Sequence, residues 1–589
     1  MHWQAWFTLG VTTLTVLALA RDWVAPATAI MGGAILFLLA GVVGPGEAFS
    51  GFGNPAPMTV AALYILARAV EKTGLLNPLV YSLMGKGDGG RRTVSRLVIP
   101  AGLASAFLNN TPIVAMLIPV VLAWCQRQKA SPSRFLMPLS FAVVLGGVAT
   151  AIGTSTNLVV SGLLEEKGLA PMGLFEITPV GLPVLVIGLL VLILTTPWLL
   201  AKRTPAGDRL SDEFREFMVN MEVVPEGPLE GRAVEEAGLR NLQGVFLVEI
   251  ERAGEIVAPV TPTTVLKARD RLLFVGRVDM VVDLQRMRGL QSTEQRQITH
   301  FDTSRHTFFE AVLGTASPLV GRTIKEVEFR SRYQAAVVAI HRSGERLNLK
   351  LGDVRLRVGD TLLLLADQGF HTRWRDRNDF LLVAEFGGTP PGVTRKAWLV
   401  GVVALAIIGV AGAGLLPILQ ASLAGVALLV LAGVLTAGEA RNAVDLDVII
   451  VIAASFAFGA AIEKTGLAAA IAHGIASIFG GLGPQAVLLG VVLATVTLTE
   501  LVTNNAAAAL MFPIGFAAAG QVGVDPRSFA IAVAVAASCS FLTPIGYQTN
   551  TMVYGPGGYR FGDYLRLGFP LTIAMIAVIV VAVPLVWGW

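Results

Sequence analysis

The sequence predicts a polytopic α-helical membrane protein built from two inverted repeats, each with a re-entrant hairpin and a broken helix, and an inserted α/β cytoplasmic region. Three observations support this fold class. Of the 589 residues, 54% are hydrophobic and only 15% are charged, whereas an ordinary soluble protein has about 25% charged residues. The apolar character stops near residue 203 and returns near residue 395. One motif also occurs in both apolar halves, as "TAIGTSTN" and as "TPIGYQTN".

Mostly uncharged segments of about 20 residues indicate helices that cross a bilayer. The clearest are 4–20, 27–43, 178–200, 397–415, 417–437, 446–462 and 568–588. The first half adds a crossing at 57–70, an interrupted one at 135–166, and a re-entrant pair at 94–124 that enters and returns. The first half therefore crosses an odd number of times, so a second copy must run in the opposite direction.

Sequence matches between the two halves indicate an internal duplication. "VEKTGLL" at 70–76 matches "IEKTGLA" at 462–468, and "NNTPIVAMLIP" at 109–119 matches "NNAAAALMFP" at 504–513. With the opening pair of motifs, the separations are 392 to 395 residues. Inverted repeats with broken helices are typical of secondary transporters, whose site lies near the middle of the membrane.

Basic residues favour the cytoplasmic side of a membrane, and their distribution predicts that both termini lie outside and the insert lies in the cytoplasm. The basic residues placed inside are Lys86, Arg91, Arg92, Arg96, Arg127, Lys129, Arg134, Lys202, Arg203, Arg395, Lys396, Arg441, Arg560 and Arg566. Those placed outside are Lys167, Lys464 and Arg527. The expected location is the cell membrane, with the lipid bilayer as a partner.

Four polar loops interrupt the apolar halves, at 109–112, 150–157, 503–505 and 543–550. Backbone groups freed from a helix inside a bilayer need partners, so such loops occur where protein, water or ligand supplies them. Hydroxyl, amide and carbonyl oxygens suit a small cation such as Na⁺, and helix N-termini suit an anion. The alternative is that these polar side chains only join helices by hydrogen bonds.

These residues resemble the divalent anion/sodium symporter (DASS) family of the ion transporter superfamily. That family carries a Ser-Asn-Thr triplet at the tip of each of two hairpins and a Gly-Thr-Pro-Pro-Asn-like loop in each broken helix. Asn109-Asn110-Thr111 and Thr503-Asn504-Asn505 resemble the triplets, and 153–157 and 546–550 resemble the loops. Both triplets lack the leading Ser, the second ends in Asn505, and the Pro-Pro pair is missing.

The resemblance implies two Na⁺ sites, a small divalent anion held between the hairpin tips, and a homodimer that transports by an elevator motion. The substrate residues it implies are Asn109, Asn110, Thr111, Thr156, Thr503, Asn504, Asn505 and Thr549. The Na⁺ residues it implies are Asn110, Thr150, Gly153 and Asn157 in the first repeat, and Asn504, Thr543, Gly546 and Asn550 in the second.

The insert contains its own duplication, in which 229–255 aligns with 319–345 and 268–276 aligns with 358–366. Each copy predicts a short strand, a helix and a β-hairpin, with "GVFLVEI" and "AAVVAIH" as buried strands. The copies resemble paired TrkA C-terminal (RCK-C) domains, which implies dimerisation or regulation by a small ligand. The expected domains are membrane repeat 1 (1–202), the first module with a linker (203–300), the second with a linker (301–395) and membrane repeat 2 (396–589).

Glu500 lies just before the second hairpin tip, in "TLTELVTNN". An ionisable residue inside a membrane segment is costly and points to a function. Its carboxylate could tune the anion, couple a proton or pair with a cation, or it could have only structural hydrogen bonds.

These observations predict a Na⁺-coupled symporter that imports a divalent anion, with Na⁺ as the coupling ion and without another cofactor or a nucleic-acid partner. Sulfate is the first choice, because inserted RCK-C domains resemble the sulfate-type branch of the family, and a dicarboxylate such as succinate or malate is the second. A cation/proton antiporter and a channel gated by the insert are alternatives of a different class. No nucleophile and base pair or paired carboxylates are evident in the sequence, so an enzyme is not expected.

Overall fold

In the computed structural model of the protein, the chain folds into two compact units. The membrane unit comprises 1–203, 314–316 and 387–589, and the insert unit comprises 204–313 and 317–386. The described residues are 2–21, 23–75, 85, 90–128, 130–201, 218–239, 242, 245–252, 255–257, 260–276, 287, 289–292, 306–314, 317–342, 345–347, 351–367, 369–374, 377, 379–385 and 393–589.

The first half of the membrane unit consists of helices joined by short loops. They are α1 (Trp3–Ala20), α2 (Pro26–Leu39), α3 (Pro45–Ala48), α4 (Ser50–Gly53), α5 (Pro55–Thr73), α6 (Arg91–Ser105), α7 (Asn110–Gln128), α8 (Leu136–Gly147), α9 (Ser155–Glu166) and α10 (Thr178–Leu199), with a 3₁₀ turn at Pro132–Arg134. The predicted re-entrant pair corresponds to α6 and α7, and the interrupted segment to α8 and α9.

The second half repeats this order. Its helices are α13 (Ala397–Gly412), α14 (Ile418–Leu431), α15 (Ala437–Ala443), α16 (Leu446–Lys464), α17 (Leu467–Phe479), α18 (Pro484–Thr499), α19 (Asn504–Gln521), α20 (Pro526–Ser538), α21 (Gln548–Tyr554) and α22 (Phe561–Trp587), with a 3₁₀ turn at Gly480–Leu482. The pair α18 and α19 corresponds to the first hairpin, and α20 and α21 correspond to the first broken helix.

Several predicted spans need correction at their ends. The predicted segments 27–43 and 417–437 stop early, at Leu39 and Leu431. Gly41 and Gly433 follow these ends with φ of 66° and 64°, a left-handed conformation that ends a helix and favours glycine. The predicted segment 568–588 is part of the longer helix α22.

Four of the described helices are long and apolar enough to cross a membrane, namely α1, α10, α16 and α22. Shorter apolar helices accompany them, including α13, α14, α18, α20 and the first part of α7. Short helices are expected here because a broken helix or a re-entrant hairpin only reaches part of the way through a bilayer.

Close backbone contacts hold each broken helix in place. A Cβ atom at Gly146 of α8 would overlap the backbone of Gly102 in α6, and one at Gly568 of α22 would overlap the carbonyl of Phe541. Glycine at these positions lets the hairpin, the broken helix and the last helix approach until their backbones touch. The loops that interrupt the helices are thereby held at fixed positions inside the unit.

The insert unit contains two antiparallel sheets of the same strand order. The first, β3-β2-β4-β1-β5, uses β1 (Met218–Val223), β2 (Val245–Arg252), β3 (Glu255–Val257), β4 (Arg271–Gly276) and β5 (Leu290–Ser292). The second, β8-β7-β9-β6-β10, uses β6 (His306–Val312), β7 (Ala335–Arg342), β8 (Glu345–Arg346), β9 (Thr361–Asp367) and β10 (Leu382–Glu385).

Matched details accompany the matched sequence of the two sheets. Arg252 donates to both carboxylate oxygens of Asp270 at 2.9 and 2.8 Å, and Arg342 donates to both of Asp360 at 2.8 and 2.7 Å. Both aspartates are fully buried. The hydrogen bonds to the carboxylates raise the pKa of each guanidinium above its ordinary value.

The predicted helix of each copy is wrong for most of its length. In the first copy, the described residues from 227 to 239 form turns, and in the second only α11 (Phe329–Tyr333) is helical between β6 and β7. A second short helix, α12 (Phe370–Trp374), follows β9. Gly231 and Gly321 have φ of 80° and 82°, which interrupts a helix at the same position of both copies.

Candidate functional site

Four loops of the membrane unit form the candidate site. Tip 1 (106–109) joins α6 to α7, and tip 2 (500–503) joins α18 to α19. Break 1 (148–154) joins α8 to α9, and break 2 (539–547) joins α20 to α21. All predicted site residues lie in these loops or in the first turns of the helices that follow them. Thr111, Thr503 and Thr543 are half-buried, and the other predicted site residues are buried.

Side chains after tip 1 contact the start of the second broken helix. Asn110 Nδ2 lies 2.5 Å from the hydroxyl of Tyr547, and Thr111 Oγ1 donates to Gln548 Oε1 at 3.1 Å. Tyr547 OH is also 3.3 Å from Thr154 Oγ1 of break 1. Residues more than 390 positions apart in the sequence therefore meet at one point.

The second hairpin contacts the first broken helix in the corresponding way. Ser155 Oγ donates to Asn505 Oδ1 at 2.9 Å, and Thr156 Oγ1 lies 3.5 Å from the same oxygen. Each hairpin thus meets the broken helix of the other half. The four loops lie together, and the duplication in sequence has a counterpart in the contacts between the halves.

The Asn residue that closes each motif makes the same bonds in both halves. Asn157 Nδ2 donates to Thr150 O at 2.8 Å, and Asn550 Nδ2 donates to Thr543 O at 3.3 Å. Each amide also donates to the carbonyl oxygen of the residue three positions before that threonine, Gly147 O at 3.3 Å and Ser540 O at 3.0 Å. These bonds satisfy carbonyl groups that the interruption of the helix would otherwise leave unpaired.

The two motif threonines differ in the group that accepts their hydroxyl proton. Thr150 donates to the backbone carbonyl of Ala106. Thr543 donates to the carboxylate of Glu500, with 2.9 Å between Thr543 Oγ1 and Glu500 Oε2. Ala106 and Glu500 are both the first residue after their hairpin helix, so a carboxylate in the second half takes the place of a backbone carbonyl in the first.

The amide of Asn110 has an environment rich in oxygen on the side that faces α6. The terminal amide atom on that side is Oδ1 in one orientation of the amide and Nδ2 in the other. It lies 2.6 Å from Ser105 Oγ and 3.2 Å from the carbonyl oxygens of Val143 and Gly153. An NH₂ group can donate to these oxygens. The oxygen of the same amide, turned to this side, would complete a set of four neutral oxygens, which fits a small cation.

Several buried polar atoms near the loops have no hydrogen-bond partner in the described part of the chain. They are Asn157 Oδ1, Thr503 Oγ1, Asn504 Nδ2 and Ser540 Oγ. Buried polar atoms are nearly always paired in proteins, so each of these atoms marks a position where a ligand or water could bind. Within the described part of the chain, the side chain of Asn504 makes no hydrogen bond to Thr543, Gly546 or Asn550, the residues with which it was expected to act.

Other polar residues complete the site and were not predicted. Tyr547, Gln548 and Ser155 occupy the variable positions of the two motifs, so the motif alone did not indicate them. Ser140 lies 2.7 Å from Asn550 Oδ1 and 2.9 Å from Thr549 Oγ1, and no sequence pattern marks it. The predicted residue Asn109 lies beside the hydroxyl of Tyr64 in α5.

The described residues contain no group of three or more His, Cys, Asp or Glu side chains that could hold a metal ion. The candidate oxygens are mostly hydroxyls, amides and carbonyls, which suit weakly bound, hard cations rather than transition metals.

Apolar helices that surround buried, polar helix interruptions define the class of the protein: it is a membrane transporter. The chain belongs to the citrate transporter (CitMHS) family, whose model matches residues 15–536 and 481–589. It is 34% identical to an uncharacterized transporter of Synechocystis sp., over 100% of this chain and 98% of the relative. It is 31% identical to an uncharacterized transporter of Escherichia coli, over 94% of each chain.

Sodium/sulfate cotransporter 2 of Chlamydomonas reinhardtii is 27% identical, over 98% of this chain and 89% of the relative. Among solved structures, the YdaH transporter of Alcanivorax borkumensis covers 100% of this chain and 98% of its own, with 16% identity and a TM-score of 0.42. That similarity is too low to support a conclusion about the fold.

The glycines of the two breaks provide a test of the site. A Cβ at Gly153 would lie 2.5 Å from Gly147 O and 2.7 Å from Ser105 O, both fixed backbone atoms. A Cβ at Gly546 would overlap Ser540 Oγ and lie 2.8 Å from Thr543 Oγ1. We therefore expect Gly153→Ala and Gly546→Ala each to lower transport at least about tenfold, with a cost in stability of about 1–3 kcal/mol.

Gly562→Ala is the matched control, because a Cβ there meets no atom within 4 Å. Substrate uptake and thermal unfolding of the purified variants are the measurements. Transport at the control level by both Gly153→Ala and Gly546→Ala would show that the space beside these glycines is not needed.

Proposed function

We propose that this transporter is a Na⁺-coupled symporter that imports a divalent anion, with sulfate as the first candidate. The observation that supports this most is the contact between interrupted helices of both halves, whose loops carry unpaired buried polar atoms. The printed name of the Chlamydomonas relative, which covers nearly the whole chain, supports sodium and sulfate as the pair of solutes.

Cations are attracted to the places where helices end. In each half, the C-terminal ends of the first hairpin helix and of the first part of the broken helix lie beside each other. Ser105 O and Gly147 O both lie next to Gly153, and Thr499 Oγ1 donates to Ala537 O at 2.6 Å. Helix C-termini carry partial negative charge, so each pair favours a Na⁺ ion, held by Thr150, Gly153 and Asn157 in the first half and Thr543, Gly546 and Asn550 in the second.

The anion is assigned to the other ends of these interruptions. The helices α7, α9 and α19 begin at the loops with free N–H groups and partial positive charge. Thr503 Oγ1 and Asn504 Nδ2 are unpaired donors at tip 2. Sulfate presents four oxygen acceptors and requires such donors, but a dianion held by neutral groups also needs the positive charge of the bound Na⁺ ions.

A carboxylate substrate is the second candidate, and the family description favours it, since the family model is that of a citrate transporter. A dicarboxylate such as succinate or malate presents two planar carboxylates to the same amide and hydroxyl donors. The two candidates differ in shape rather than in the chemistry of their oxygens.

Uptake by the purified protein in liposomes tests the function. We expect an inward Na⁺ gradient to drive accumulation of labelled sulfate, and an equal choline gradient to drive none, because Na⁺ supplies the charge that the anion site lacks. Unlabelled sulfate, succinate and citrate are then compared as competitors. Succinate or citrate uptake with no effect of sulfate would replace sulfate as the substrate, and uptake driven equally by choline would contradict Na⁺ coupling.

We further propose that both termini lie on the outer side of the cell membrane and that the insert lies in the cytoplasm. The three basic residues placed outside are all in ion pairs, Lys167 with Glu463, Lys464 with Glu47 and Arg527 with Glu176. Lys86, Lys129, Lys202 and Arg203, placed inside, lie outside the described residues. We expect a cysteine introduced in the segment 44–56, which joins α2 to α5, to react with an impermeant maleimide on intact cells and one at 395 to react only after lysis. The reverse pattern would contradict the orientation.

We propose that the insert regulates transport and does not carry it out. It would act by dimerising or by binding a small ligand. The whole transporter is proposed to be a homodimer that moves by an elevator mechanism. Every residue of the candidate site belongs to the membrane unit. Replacement of 215–385 by a flexible Gly/Ser linker should therefore leave Na⁺-driven uptake within about tenfold of the full chain. A folded deletion variant that transports nothing at any Na⁺ concentration would show that the insert belongs to the transport machinery.

A further inference from the structure

Glu500 sits where the C-terminal ends of two helices meet. It is the first residue after α18. The residues that it contacts, 541–543, follow the end of α20. Two helix C-termini already make this place negative. A carboxylate there is unfavourable by itself, and it is 8% exposed.

Three well-formed hydrogen bonds hold the carboxylate of Glu500. Oε1 accepts from the N–H groups of Phe541 and Leu542 at 2.8 and 2.9 Å. Oε2 accepts from Thr543 Oγ1 at 2.9 Å, and Ser540 Oγ lies beside the same carboxylate. A carboxylate has about four acceptor positions, and these three donors are all neutral.

No Lys or Arg side chain in the described part of the chain compensates this charge. Among the Lys and Arg residues that the structure describes, none forms an ion pair with Glu500. A buried charge that has neither a partner nor full hydration is strongly destabilising, so a positive ion is the missing component.

Other oxygens lie close to Oε2. Ser540 Oγ lies beside the carboxylate, is fully buried and has no well-formed hydrogen bond. The space above Gly546 is bounded by Ser540 Oγ, by Thr543 Oγ1 and by Glu500 Oε2, the last two lying 2.8 and 3.0 Å from the Cβ position. Three oxygens from three positions of the chain therefore surround one small space.

We propose that Glu500 is a direct ligand of the cation in the second half, together with Ser540 and Thr543. The two cation sites are then unequal: the site at Gly153 consists of neutral oxygens, and the site at Gly546 has a formal negative charge. This deepens the proposed function and rests on it. It assigns Glu500 to the cation rather than to the anion, and it adds Ser540, which no motif indicated.

Na⁺-dependent thermal unfolding of the purified full chain in detergent tests the assignment without measuring transport. Tm is followed as choline is replaced by Na⁺ at constant ionic strength and pH. A bound ion stabilises the folded state by an amount that grows with the logarithm of one plus the ratio of the free Na⁺ concentration to Kd. We expect Glu500→Gln to need about tenfold more Na⁺ than the unchanged protein for the same rise in Tm.

The sign of the effect in choline distinguishes a ligand from a structural residue. If Glu500 awaits a cation, Glu500→Gln removes an uncompensated charge, and its Tm in choline should equal or exceed that of the unchanged protein. If the carboxylate only holds 541–543 in place, the variant should have a lower Tm in choline and an unchanged Na⁺ dependence, and the proposal is then wrong.

Glu463→Gln is the matched control, because the Glu463 carboxylate is 52% exposed and paired with Lys167, and its Na⁺ dependence should not change. Ser540→Ala should raise the required Na⁺ in the same direction as Glu500→Gln. Glu500→Asp keeps the charge and is the variant to measure if Glu500→Gln does not fold. It should fold and should require more Na⁺ than the unchanged protein. Failure of both Glu500 variants to fold in choline would also overturn the proposal.

The outcome for the unchanged protein separates this proposal from the one on which it rests. If the unchanged protein shows neither Na⁺ stabilisation nor Na⁺-driven uptake, the proposed function itself fails. If it shows both, and Glu500→Gln behaves identically, only the assignment of Glu500 is wrong.

Discussion

The structure of the membrane unit depends on one constraint: every interrupted helix must find partners for its freed backbone groups in an apolar environment. Asn157 and Asn550 meet part of this need within their own loops, each by donating to two carbonyls. Contacts between the halves meet another part, through Asn110 with Tyr547 and through Ser155 with Asn505. Each half is thus completed by the other, and the remaining unpaired atoms are left for solutes.

The same loops separate two kinds of chemistry over a short distance. Helix C-termini and carbonyl oxygens face the places assigned to cations, and helix N-termini with the donors of Thr503 and Asn504 face the place assigned to the anion. Because no formal positive charge is assigned to the anion site, the proposed function makes the binding of sulfate depend on bound Na⁺. Such mutual dependence is what couples two solutes, since a transporter that bound the anion alone could move it without Na⁺.

The sequence predicted where the helices of the membrane unit are interrupted, but it did not predict the contacts between the interruptions. The duplicated motifs indicated Thr150, Gly153 and Asn157 with their counterparts, and their spacing is retained in the bonds that both halves make. The partners Tyr547 and Ser140 were not predicted, because a contact between residues hundreds of positions apart leaves no local pattern. The helix ends at Leu39 and Leu431 were misjudged because apolar residues continue past the glycines that end these helices. The helices of the insert were predicted too long because Gly231 and Gly321 interrupt them with a positive φ.

The central claim is that bound Na⁺ provides the charge that an anion site of neutral donors lacks. Calorimetric titration of the purified protein with sulfate, in Na⁺ and in choline at equal ionic strength, measures this directly. The account predicts that sulfate binds in Na⁺ with an affinity that rises with Na⁺ concentration, and that binding in choline is weaker by at least about a hundredfold, or about 2.7 kcal/mol. Equal sulfate affinity in Na⁺ and in choline would contradict it.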